Sequence, residues 1–81
     1  MKSHQLVTNV TQLVHIISGR RRALGMSQSD LASKLGISQR YVSAIELGSR
    51  ALTVDRLLEI LNVLRLDLAV QDRESATKAE W

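Results

Sequence analysis

The chain has 81 residues, a formal net charge of +3, an isoelectric point near 10.0, and no cysteine. That length builds one small domain whose core gives only marginal stability, which makes a second copy a natural partner, and the missing cysteine excludes disulfides, thiolate metal sites and a cysteine nucleophile. No window approaches the roughly 18 consecutive apolar residues of a membrane span and no leader pattern precedes a cleavage site, which predicts a soluble, cytoplasmic protein with no membrane partner.

In chain order, residues 1–9 form an N-terminal segment. Val10, Leu13, Ile17 and Leu24 then recur at helical spacing and predict a helix over about 10–24 that ends at Gly25, with Asn9 and Gln12 spaced as a capping box. Ser27 and Asp30 make a second such box before a short helix over about 28–35, with Leu31 and Leu35 as its apolar face and Gly36 as its stop. Ser38 caps a third helix over about 39–47, whose buried stripe is Val42, Ile45 and Leu47, and Gly48 ends it. Thr53 caps a fourth over about 54–64, with Val54, Leu57, Leu58, Leu61 and Leu64 placed to close the core.

The period then changes. Leu64, Leu66, Leu68 and Val70 alternate with Arg65, Asp67, Ala69 and Gln71, the signature of a half-buried strand over 65–71. A lone strand leaves its backbone unpaired, so Leu66, Leu68 and Val70 are expected to mediate homodimer pairing, with the segment around "HQLVT" as a second possible partner. Residues 72–81 read as a flexible tail that ends on Trp81, the only tryptophan.

Charge is unevenly spread. Residues 1–50 hold seven Lys and Arg against two carboxylates, whereas residues 51–81 hold four against six. The first half is suited to a polyanion. Two short helices joined by a turn at Gly36, the second led by Ser38, Gln39, Arg40 and Tyr41, describe a helix-turn-helix, whose second helix enters the DNA major groove by its N-terminal end. Gln39 suits adenine, Arg40 suits guanine, and Ser43 lies one turn on, so these three are the base-reading candidates. Ser27, Gln28, Ser38 and Arg50 are placed for phosphates. Tyr41 has two readings, a ring packed on its neighbours or a hydroxyl on a phosphate.

Enzymatic chemistry finds no support. His4 and His15 lack metal spacing, no nucleophile and base set assembles, and there is no phosphate-binding glycine loop, so no catalytic residue, metal or cofactor is expected. His15 points away from the apolar stripe, toward solvent. With 2% aromatic residues the chain offers no stacking platform for single strands, and duplex DNA is the better partner.

The stretch "MSQSDLASKLGISQRYVSAIELG" resembles the Cro and phage-repressor, or XRE, type of helix-turn-helix over residues 10–64, in Gln28, Leu31, Ala32, Gly36, Ile45 and Glu46. That resemblance implies a structural ion pair between Arg21 and Glu46, with Arg20 and Arg22 left for solvent or phosphate. "TQL" opening the first helix, the strand after the last, and the final "EW" are similar to the HipB-type antitoxins. This implies a homodimer joined through its C-terminal strands, repression of its own operon at a palindromic operator on the nucleoid, and a HipA-like serine/threonine kinase toxin that Trp81 would contact. The expected fold class is therefore all-α, a four- to five-helix repressor-like domain with a short C-terminal β-strand paired in the dimer. A stand-alone XRE repressor or restriction-modification controller, with no toxin, is the alternative. A protein-interaction module without DNA function is a third reading.

Overall fold

The computed structural model of the protein describes residues 5–73. The fold is all-α, with helices α1 (Val10–Ala23), α2 (Gln28–Leu35), α3 (Gln39–Glu46) and α4 (Val54–Val63). Trp81, the expected toxin contact, lies outside the described residues.

Each helix starts where a short polar side chain offers an acceptor to a free amide. Asn9, Ser27, Ser38 and Thr53 accept from the backbone N–H groups of Gln12, Asp30, Tyr41 and Arg56. Only Ser27 and Asp30 form a full capping box. The side chain of Gln12 does not return to Asn9 as its spacing suggests. Its Oε1 accepts instead from the backbone N–H of Thr8, one residue earlier, at 2.7 Å.

The helices also end alike. Beyond α2, Gly36 takes the left-handed conformation at φ 71°, and the Ile37 N–H reaches back to the Ala32 carbonyl at 3.0 Å. This turn sets α3 against α2. Beyond α4 the same left-handed position is held by Arg65, at φ 60°, and the Leu66 N–H donates to the Leu61 carbonyl at 2.9 Å. A side chain there is strained, because its Cβ crowds the backbone.

The core is built from Val14, Ile17, Leu31, Ala32, Val42, Ile45, Ile60 and Leu64, with Leu13, Leu35, Ile37, Tyr41, Leu57 and Leu66 packed against it. α3 lies against α2 and α1, and α4 closes against α2. Several side chains placed inside by apolar spacing are outside. Val10, Leu24, Leu47, Val54 and Leu58 are exposed. Leu47 lies beyond the last turn of α3, and α4 is rotated so that Ile60, with Leu57 and Leu64, faces the core in place of Val54 and Leu58. On α1 the buried face is Val14, Ile17, Ser18 and Arg21, and two of those four are polar.

No strand occurs among the described residues. Leu66 is half-buried, whereas Leu68 and Val70 project from the domain, and the segment pairs neither with itself nor with residues 5–8.

Candidate nucleic-acid interface

The leading end of α3 is polar and open. Gln39 and Arg40 are exposed, and Ser43, one turn further on, is half-buried. The side of α3 behind them is fixed by Val42 and Ile45, each about 2% exposed. The helix therefore presents its first turn while its apolar face is held rigidly, as insertion into a groove requires.

Gln39 is also tied into the domain. Its Nε2 donates to Gln28 Oε1 at 2.7 Å, and Gln28 Nε2 in turn donates to Glu46 Oε1 at 3.0 Å. Glu46 is the hub. Arg21 Nε donates to its Oε2 at 2.7 Å and Arg21 Nη2 to its Oε1 at 3.0 Å, while Ser18 Oγ donates to Oε1 at 3.2 Å. The remaining Arg21 Nη1 donates to the Met26 carbonyl at 2.8 Å. The two charged side chains are 9% and 6% exposed. Burial alone raises the Glu46 carboxyl pKa, but hydrogen bonds from Arg21 and Gln28, the Arg21 charge and Ser18 outweigh it and hold the pKa below the usual carboxylate range. The Arg21 guanidinium is held above its ordinary value, chiefly by its hydrogen bonds to Glu46. Among the described residues, no buried side-chain nitrogen or oxygen lacks a partner.

The remaining candidates lie around this tip. The oxygens of Ser27 and Ser38 act as helix caps, which leaves their hydroxyl hydrogens to donate outward. Gln28 commits a side-chain N–H to Glu46 and its Oε1 to Gln39, and its backbone N–H at the start of α2 is a further donor for an anion. Tyr41 is half-buried against the core, and the guanidinium of Arg50 stacks on its ring, 4.5 Å from the centroid.

A family profile described as Helix-turn-helix matches residues 15–71. The antitoxin HipB of Escherichia coli strain K12 is 32% identical over 77 residues, a stretch covering 95% of this chain and 88% of that protein. The chain belongs to the HipB antitoxin family. HipB from Escherichia coli O6:H1 (strain CFT073) is 31% identical over 77 residues, covering 95% of this chain and 82% of that protein. Among solved structures, a HipB variant in complex with an O2 20mer superposes with a TM-score of 0.79 at 30% identity, covering 89% of this chain and all of the other. The HipB of a HipA-HipB-O2-O3 complex superposes at 0.78 with 31% identity over 88% of this chain and all of its own.

In this HipB-family chain, sequence reasoning missed two members of the network and misplaced a neighbouring arginine. Ser18 interrupts an apolar face, and its spacing of three from Arg21 is the one signal that it shares that face. Met26 takes part through its backbone carbonyl, which no side-chain pattern reveals. Arg20, expected to face solvent or phosphate, instead caps α4. Its Nε donates to the Leu64 carbonyl at 2.9 Å and its Nη2 to the Arg65 carbonyl at 3.4 Å, where a cation complements the negative helix end. His15 is exposed on α1.

Proposed function

We propose that the protein is a sequence-specific DNA-binding repressor that serves as the antitoxin of a type II toxin–antitoxin module, regulating its own operon and binding a HipA-type serine/threonine kinase. The observation that carries this reading is the open tip of α3, with Gln39 and Arg40 exposed on a scaffold that superposes on DNA-bound HipB with a TM-score of 0.79. Gln39, Arg40 and Ser43 read bases; Ser27, Gln28, Ser38, Tyr41 and Arg50 hold phosphates; the Arg21–Glu46 pair keeps α1 and α3 in register beneath them.

A homodimer sets two copies of α3 about 34–36 Å apart on a palindromic operator, in successive major grooves. The alternating segment at 65–71 joins the copies through Leu66, Leu68 and Val70, and the exposure of Leu68 and Val70 supports this, because apolar side chains on a small domain gain by being covered. The kinase partner rests on the HipA-HipB-O2-O3 complex among the structural relatives, with Trp81 as its contact. Nothing in this role needs catalysis or a cofactor.

Fluorescence anisotropy tests the reading, using labelled DNA from upstream of the gene and random DNA of the same length, across a salt series. The expected result is specific, salt-sensitive binding that Gln39→Ala/Arg40→Ala abolishes. Equal, weak binding of both duplexes by both proteins would refute it. Co-purification with a neighbouring HipA-like kinase, lost when Trp81 is removed, separates the antitoxin from a stand-alone repressor or controller protein.

A further inference from the structure

Arg56 stands out in the acidic second half of the chain, next to Asp55 in the first turn of α4, where spacing gives it no role. In the structure its guanidinium turns toward α3 and lies 5.5 Å from the centroid of the Tyr41 ring, the same ring on which Arg50 stacks at 4.5 Å. Two guanidiniums, one from the loop before α4 and one from α4 itself, thus converge on one aromatic side chain. Tyr41 is itself seated against the core, so the platform is fixed. One carboxylate is close by: Glu59 Oε1 accepts from Arg56 Nη1 at 2.8 Å, with the Glu59 side chain 58% exposed and that of Arg56 26%. The cluster keeps a surplus positive charge, and bringing like charges together is unfavourable until an anion joins them.

We propose that Arg50 and Arg56, stacked on Tyr41, form a two-arginine clamp for a single DNA backbone phosphate, with Glu59 as the resident counter-charge that the phosphate displaces. This rests on the DNA-binding reading above. Tyr41 lies in the first turn of α3, directly after Gln39 and Arg40, so a helix that enters the groove by that turn carries the clamp toward the flanking backbone. The planar guanidinium fork matches phosphate oxygens in pairs, and holding both forks on a ring reduces the freedom lost on binding. The clamp positions the protein and carries no base preference.

The salt dependence of DNA binding by the full chain decides the matter, measured by anisotropy on the upstream duplex and on random DNA. Arg56→Gln is expected to lower the slope of log affinity against log salt by about one per bound protomer and to weaken both duplexes by the same factor, about tenfold. Its preference for the upstream duplex should remain. Glu59→Gln, which frees Arg56, should strengthen both duplexes severalfold. Tyr41→Leu should lose the same increment of slope although both arginines are still present. Wild-type slope and affinity in Arg56→Gln, with sequence preference intact, would overturn the clamp and leave the DNA-binding reading standing. A wild type that shows neither preference nor salt dependence would remove that reading and the clamp with it.

Discussion

Gln39, at the exposed start of α3, donates to Gln28 at the start of α2 across 2.7 Å, and Gln28 passes the link on to the buried carboxylate of Glu46. A side chain proposed to meet a base edge is therefore oriented before DNA arrives, and its last support is the Arg21 guanidinium. Preorganisation of this kind lowers the entropy lost when the contact forms.

Gln28→Ala separates the support from the contact. It removes a hydrogen bond to a charged group, so urea unfolding should show a stability loss of about 1–2 kcal/mol. Specific affinity should fall as Gln39 loses its anchor. Gln39→Ala should cost little stability, because the residue is exposed, but about 1–3 kcal/mol of discrimination against mismatched sites. Equal stability in the two variants would contradict the linkage.

Breaking the Arg21–Glu46 pair from one side leaves a charge buried without its partner. Arg21→Ala or Glu46→Ala should each destabilise by about 3–5 kcal/mol, a large share of what so small a domain possesses. The double replacement Arg21→Met/Glu46→Leu should recover much of that loss, since neither charge is then stranded. Chemical denaturation of the three proteins checks the ordering.

Glu46 also predicts an acid limb. Its pKa in the folded chain is below the value of about 4.3 that it has when unfolded, so its stabilising contribution is complete above that pH and is lost as the pH falls through the lower folded value. Asp30 adds a contribution of the same sign through the Ser27 backbone hydrogen bond. The urea midpoint of the wild type should drop as the pH falls below about 4.3, and that of Glu46→Gln, less stable at pH 7, should drop less.

The proposed dimer strand has a direct test. Leu68 is 57% exposed and outside the core cluster, so proline there removes a backbone donor without disturbing the helices. Leu68→Pro should sediment as a monomer with unchanged helical circular dichroism and bind DNA more weakly. A dimer that persists would place the interface elsewhere.

The helices were legible in the sequence because their boundaries are local. A cap such as Ser27 or Ser38 acts on an amide three residues away, and Gly36 needs only its own backbone freedom to turn the chain. The polar tip of α3 was legible for the same reason, as Gln39 and Arg40 follow a turn and precede an apolar stripe. What only the tertiary structure decided is which side chains meet across the fold. Glu46 is joined to Gln28, Arg21 and Ser18 over separations of 18, 25 and 28 residues, and Arg20 reaches the end of α4 over 44. Periodicity cannot supply these contacts; it passed over the buried Ser18 and Ile60 and placed the exposed Leu58 inside, because it records only that a helix has an apolar side. The rotation that packs the helices closely and leaves no buried side-chain nitrogen or oxygen of the described residues without a partner depends on all four at once.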